Sequence, residues 1–225
     1  MIRLLLCLVS VVHVAATDTT TNKPTTSKPT TKNKQAHSKS STKDGLGRTT
    51  YDFCAVCHGE TGEGKPNIGA PQIASLSSWY VKEQLLKFRS GVRGTHPRDV
   101  AGMRMRPMAR YLQSDAQIDA VSEYVAQLRS ARPATTLTGS WVKGQVKYQL
   151  CMACHGADGK GNEALKAPSL VGRSDWYLLL QLQNYKTGVR GASLDDPVGM
   201  SMRPITLTLS EQDMKDVVVY ISGLR

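Results

Sequence analysis

The chain has 225 residues, of which 40% are hydrophobic and 6% aromatic, and a formal net charge of +11. This length accommodates one or two domains of about 100 to 200 residues each. The positive charge is spread along the chain, with +4 on residues 17–44 and +3 on each of residues 45–131 and 132–225. Such a spread is weak evidence for nucleic-acid binding, and we expect a basic soluble surface or a docking patch for an acidic partner.

The first 16 residues have the organisation of an export signal. Arg3 is followed by an apolar run that ends in small residues at Ala15 and Ala16, so residues 1–16 are predicted to be a signal peptide. An uncleaved membrane anchor is the alternative, but a span takes about 20 apolar residues, and this run is shorter and contains His13. We therefore expect an exported protein.

Residues 17–44 are rich in Thr, Lys, Ser and Pro and contain almost no apolar residues. Such a segment cannot bury enough surface to offset the entropy of ordering, so we expect a disordered spacer. Membrane association through this basic spacer, or through a retained signal, is a further possibility left by the sequence.

The rest of the chain repeats itself at a fixed offset of 97 residues, as from Cys54 to Cys151. The matched positions are Cys57 and Cys154, His58 and His155, Pro71 and Pro168, Trp79 and Trp176, Arg93 and Arg190, and Met105 and Met202. Two copies of one domain are therefore predicted, at residues 45–131 and 141–225. Residues 132–140 contain Pro and Gly and few apolar residues, as a linker would.

Each copy has the pattern of a small helical domain. A first helix leads into the cysteines, a middle helix has apolar residues at helical spacing and stops at Gly91 or Gly188, and a last helix opens with a capping pattern at Ser114 or Ser210. No convincing pair of strands is present in the pattern. The predicted fold class is all-α, with two tandem helical domains.

Both copies contain the motif Cys-x-x-Cys-His, at residues 54–58 and 151–155. This motif is the attachment signature of c-type haem, in which two thiols bond the porphyrin and the adjacent imidazole binds the iron. A thioredoxin-type redox pair or half of a zinc site is the alternative for an isolated Cys-x-x-Cys. The repeated His and the export signal favour haem, so we predict two covalently bound haem c groups, with His58 and His155 as iron ligands.

A sixth ligand to each iron decides between an electron carrier and an enzyme, because a filled position keeps substrate off the metal. His96 and Met108 have no counterpart in the second copy, where Ser193 and Ile205 stand. The remaining candidates are the pair Met103 and Met200 or the pair Met105 and Met202, all expected on polar, Pro-containing loops. We favour Met105 and Met202, each of which is followed by Arg-Pro.

At this level of detail residues 45–225 resemble the di-haem cytochrome c4 family. The resemblance lies in Cys-x-x-Cys-His-Gly, in Tyr-x-x-x-Gln-Leu at residues 80–85 and 177–182, in a Gly-x-Arg turn, and in a Met seven residues before Leu112 or Leu209. It implies that Met105 and Met202 are the axial ligands. It also implies two haem domains that pack with their haem edges facing each other, and a protein that shuttles electrons in the periplasm.

Three further pairs of residues are candidates for contacts with the haem groups. Pro71 and Pro168 are predicted to offer a carbonyl to the ligand His, or else only to form a turn. Trp79 and Trp176 are predicted to donate to haem propionates, with core packing as the alternative. Arg93 and Arg190 are predicted to neutralise propionates, with a solvated surface position as the alternative.

The predicted function is electron transfer between a redox protein donor and an acceptor such as a terminal oxidase or another respiratory complex. Both reduction potentials are expected to be positive, and unequal because the two copies differ around their methionines. A di-haem peroxidase or a thiosulfate-oxidising enzyme is the rival from the enzyme class. A fixed haem subunit of a membrane oxidoreductase is a second rival.

Overall fold

The structure, a computed structural model, describes residues 43–225, so the predicted signal peptide and nearly all of the predicted spacer lie outside the described residues. Within this range the fold is all-helical, as predicted, with eight α-helices and one short 3₁₀ helix. The first copy contains α1 (Lys43–His58), the 3₁₀ helix (Pro66–Ile68), α2 (Ser78–Ser90), α3 (Val100–Tyr111) and α4 (Asp115–Gln127). The second contains α5 (Trp141–His155), α6 (Asp175–Lys186), α7 (Pro197–Leu207) and α8 (Glu211–Gly223).

The two copies have the same packing. Helix α1 packs against α4, and α2 packs against α3 and α4; in the second copy α5 packs against α8, and α6 against α7 and α8. A glycine in each first helix permits the closest approach. A Cβ atom on Gly47 would lie 2.5 Å from the carbonyl oxygen of Ala120, and one on Gly144 would lie 2.0 Å from that of Asp216. These helices therefore cross at a distance that only glycine allows.

Each copy has its own small apolar core beside the helix crossing. Tyr51 and Tyr148 are buried in these cores, and their hydroxyls donate to the carbonyls of Gly59 and Gly156 at 2.7 and 2.8 Å. A buried phenol without a partner would be costly, so these bonds fix the chain just after each histidine. The core residues are, in the first copy, Tyr51, Leu112, Ile118, Val121 and Val125, and in the second, Tyr148, Val217, Val218 and Ile221.

The predicted capping patterns at the last helices form as expected. The Ser114 hydroxyl accepts from the backbone N–H of Gln117, whose side chain accepts from the backbone N–H of Ser114. Ser210 and Asp213 make the same reciprocal pair at α8. Such capping boxes satisfy backbone donors that a helix N-terminus otherwise leaves unpaired.

The expectation that the methionines lie on loops is wrong, because Met105 and Met202 lie in α3 and α7. Both helices contain an internal proline, at Pro107 and Pro204, and continue past it to their last turn. An internal proline removes one helical hydrogen bond, which is why the sequence suggested a loop. The helix N-termini are stabilised by Asp99 and Asp196, whose side chains accept from backbone N–H groups at 2.9 and 2.8 Å.

The segment between the copies has no regular secondary structure from residue 128 to residue 140, as a linker requires. It is nevertheless held to the second copy. The buried carboxylate of Asp175 accepts hydrogen bonds from the backbone N–H groups of Thr136 and Leu137 and from the Thr136 hydroxyl. In the described part of the chain, residues 43–225, no helix has the length and apolar character needed to cross a membrane.

Candidate functional site

The Cys-x-x-Cys-His motifs form the last turns of α1 and α5, so each motif has both cysteines and the histidine on one helical turn. The four motif cysteines form no disulfide with one another, and Cys57 and Cys154 are exposed. Burial, with a smaller contribution from the neighbouring thiol, raises the pKa of Cys54 and of Cys151 to about 11. A redox-active Cys-x-x-Cys has a lowered thiol pKa, so the raised pKa of Cys54 and Cys151 is the opposite of what a thioredoxin-type site needs.

Both motif histidines are buried and oriented by a proline carbonyl. The Nδ1 atom of His58 lies 2.8 Å from the carbonyl oxygen of Pro71, and that of His155 lies 2.8 Å from the oxygen of Pro168. A carbonyl can only accept, so Nδ1 carries the proton in each ring and Nε2 is left with a free lone pair. Burial lowers the pKa of both rings, against a smaller opposite effect of the proline hydrogen bond. Each ring is therefore a neutral imidazole suited to bind a metal.

An apolar cavity adjoins the motif in the second copy. Cys151, Cys154, His155 and Met202 all line it, and most of the remaining wall is apolar. Charged side chains and residues of the first copy, such as Pro71 and Tyr80, also contribute to the wall. Met200 is not among the lining residues and is 38% exposed. In the first copy Met103, the repeat partner of Met200, is 40% exposed, and Met105 is half-buried. The cavity thus distinguishes the two candidate methionine pairs and favours the one that contains Met202.

Several buried side-chain donors have no hydrogen-bond partner within the described residues, and four of them form two repeat pairs. The donors are Nε of Arg93, Arg190, Arg106 and Arg203, Nη1 of Arg173, and Nε1 of Trp176. An unpaired buried donor costs about 1–3 kcal/mol, more when charged, so such a set indicates an acceptor that the protein atoms do not supply. Carboxylates of a bound group satisfy this requirement. The thiols, the imidazole, the methionine sulfur and these donors therefore fit a covalently attached haem with its propionates.

The predicted Arg93 and Arg190 lie at the contact between the two copies, which belong to one compact unit. Arg93 donates to Gln84 of its own copy and to Tyr177 and Gln181 of the other, at 3.0 to 3.1 Å. Arg190 does the reverse, donating to Gln181 and, across the contact, to Tyr80 and Gln84, at 2.9 to 3.3 Å. The arrangement is a symmetric exchange of hydrogen bonds, and it leaves only the Nε atoms unpaired.

The two predicted tryptophans lie in different surroundings. The indole N–H of Trp176 is buried without a partner, whereas Lys166 of the second copy lies over the ring of Trp79, 5.3 Å from its centroid. The sequence interpretation missed this contact and the ion pair between Lys87 and Asp196, 2.8 Å apart across the same interface. It also missed Arg106 and Arg203 as buried donors, although their repetition next to the methionines was a usable signal.

Comparison with known proteins gives consistent results. The cytochrome c family model matches residues 45–129 and 141–225. The thiosulfate dehydrogenase electron acceptor of Thiomonas intermedia (strain K12) is 31% identical over 184 residues, which covers 76% of this chain and 77% of that protein. Cytochrome c4 of Azotobacter vinelandii is 26% identical over 201 residues, covering 84% and 91%. The cytochrome c4 structure from Acidithiobacillus ferrooxidans superposes with a TM-score of 0.62 at 28% identity, covering 77% of this chain and 99% of that one.

Proposed function

Because the chain belongs to the cytochrome c family, in its di-haem class with two tandem domains, we propose that it is a periplasmic electron carrier without catalytic activity of its own. It carries two haem c groups, one attached covalently at each Cys-x-x-Cys-His motif. When bound, haem iron supplies reversible one-electron chemistry. The observation that carries the proposal is the placement of His155 and Met202 on the walls of one apolar cavity, where the two side chains would hold a haem iron and leave it closed to substrate.

We propose that His58 and Met105 would hold the haem iron in the first domain, and His155 and Met202 in the second. The proline carbonyls keep the proton on Nδ1 of each histidine, which leaves Nε2 to bind iron and makes the imidazole a better donor. Methionine as the sixth ligand raises the reduction potential, and the apolar walls around the site act in the same direction. Both potentials are therefore expected to be positive.

The donor and acceptor are redox proteins, and we propose a terminal oxidase or another respiratory complex as the acceptor. A relative named as an electron acceptor of thiosulfate dehydrogenase makes a thiosulfate-oxidising enzyme a candidate donor. The two roles are compatible, since one protein takes electrons from the donor and delivers them to the oxidase. Reduction of the purified protein by a thiosulfate dehydrogenase with thiosulfate, and not by thiosulfate alone, supports this donor and the absence of catalytic activity.

The test of a closed carrier is the visible spectrum of the reduced protein with and without carbon monoxide. We expect no carbon monoxide adduct in the wild type, and one adduct per chain in Met202→Ala or Met105→Ala, because each change opens one iron. Met200→Ala and Met103→Ala are matched controls in the same helices and are expected to bind none. An adduct in the wild type refutes the closed carrier, and an adduct in Met200→Ala but not in Met202→Ala refutes the assigned ligand.

A further inference from the structure

The internal repeat is broken at one half-buried position beside the second haem site. Arg173 lies just before α6, and its repeat partner in the first domain is Leu76. Arg173 lines the cavity whose wall includes His155 and Met202. First-domain residues such as Pro71 and Leu76 also line this cavity, but none of the first domain's motif residues, nor Met105, does. The second haem site therefore contains a cationic side chain where the repeat partner from the first domain is uncharged.

No residue between 43 and 225 neutralises the charge on Arg173. Its Nε atom donates to the carbonyl oxygen of Val171 at 3.1 Å, and its Nη1 atom is buried with no partner among residues 43–225. No carboxylate within the described residues forms an ion pair with it. Burial lowers the pKa of Arg173 to about 10, and the phenols of Tyr80 and Tyr177 oppose that shift, so the guanidinium is cationic at neutral pH.

The other charged side chains that line this cavity do not create the same asymmetry. Glu83 and Lys87 form an ion pair with each other, and Lys166 is exposed. Arg190 is matched in the first domain by Arg93, in a symmetric set of hydrogen bonds. Arg173 is thus a half-buried charge at the second site that has no counterpart in the first domain and no carboxylate partner among residues 43–225.

We propose that Arg173 holds the haem of the second domain at a higher reduction potential than that of the first, so that an electron entering the protein comes to rest in the second domain. A fixed positive charge in a low-dielectric site favours the reduced state of a nearby centre, because reduction adds one negative charge. The unpaired Nη1 donor also fits a propionate of the same haem. This inference rests on the proposed function, since it requires two closed haems that exchange electrons.

Spectroelectrochemical titration of the full-length holoprotein tests the proposal, with Arg173→Leu, Arg173→Gln and Arg173→Lys as variants. The Leu variant introduces the repeat partner's residue, and the Lys variant keeps the charge. Arg110→Leu is the control, because this arginine is exposed in the last turn of α3 and its removal changes the net charge equally. Met105→His identifies which couple belongs to the first domain, since a His ligand lowers that couple.

We expect Arg173→Leu and Arg173→Gln to lower the second-domain couple and to reduce the equilibrium constant for transfer from the first haem to the second about tenfold, which is about 59 mV for a one-electron couple. Arg173→Lys keeps most of the difference, and Arg110→Leu keeps all of it. The proposal is overturned if the gap is unchanged in both neutral variants, or if the first couple moves more than the second. A wild type that binds carbon monoxide refutes the proposed function instead, so the two failures are distinguishable.

Discussion

The ion pair between Lys87 and Asp196 is expected to be a main electrostatic contribution to the contact between the domains. The two charged atoms are 2.8 Å apart, and the side chains are only 15% and 7% exposed. Removing one partner of a buried pair costs about 3–5 kcal/mol, because the other charge remains buried. Glu83, which also pairs with Lys87, is 26% exposed and can turn to solvent. We therefore expect the lower end of the range, about 3 kcal/mol, for Lys87→Met.

The control lies on the same helix. Lys82 pairs with Asp119 at 2.5 Å, but these side chains are 45% and 36% exposed. An exposed pair contributes about 0–1 kcal/mol, so Lys82→Met is expected to change the free energy of unfolding by no more than that. Guanidinium unfolding of the holoprotein, followed by circular dichroism, measures both. Equal losses in the two variants would show that the interdomain pair is worth no more than a surface pair.

The pH dependence supplies a second readout with a defined sign. Burial alone would raise the pKa of Asp196, but the Lys87 ammonium and the N–H of Gly199 outweigh it, and the pKa lies below its usual value. A carboxyl whose pKa is lowered on folding stabilises the protein above its unfolded pKa of about 4 and loses that contribution as the pH falls through the folded value. The loss of unfolding free energy caused by Lys87→Met is therefore expected to become smaller as the pH falls from 6 to about 3. A loss of unfolding free energy that stays constant over this pH range would show that the charge of Asp196 does not stabilise the protein through Lys87.

Two further predictions concern the second domain. Gly144→Ala is expected to destabilise it by about 1–3 kcal/mol in the same unfolding assay, because the added Cβ would lie 2.0 Å from the Asp216 carbonyl oxygen. Gln145→Ala is the control: Gln145 is exposed on the same helix, and its replacement is expected to change the free energy of unfolding little. Asp175→Asn weakens the acceptor of the hydrogen bonds from Thr136 and Leu137, so limited proteolysis is expected to cleave residues 132–140 faster. Asp195→Asn, at an exposed position, is the control. Unchanged cleavage in Asp175→Asn would mean that other contacts hold the linker.

The helices that the sequence predicted are those whose signals are local. The capping serines and the apolar spacing of the middle helix involve residues within one or two turns, and the motif cysteines specify their own helical turn. Helices α3 and α7 were missed because Pro107 and Pro204 were given more weight than the start signals. Asp99 and Asp196, followed by Pro197 in the second domain, are N-terminal helix signals of ordinary strength.

The sequence did not predict the contacts between the two domains, for a different reason. Arg93 and Arg190 were interpreted as single side chains near one haem, but each bonds residues of the other domain. Their partners are far apart in the chain, and nothing in a single sequence states which surfaces of two domains meet. The repeat did give a usable indication, since Tyr80 and Gln84 are polar residues kept on the packed face of the middle helix in both copies.

At the contact between the domains, some residue pairs are the same in both copies and others differ. The pairs that differ relate the fold to the proposed direction of electron flow. The shared part of the contact is the hydrogen-bonded centre, formed by the pairs Arg93 and Arg190, Gln84 and Gln181, and Tyr80 and Tyr177. The differences lie at other positions of the contact, at the pairs Leu76 and Arg173, Glu83 and Leu180, and Lys87 and Asn184. Two identical haem sites would share an electron equally. The difference between Leu76 and Arg173, beside a hydrogen-bonded centre that the two copies share, makes the sites unequal without altering the ligands.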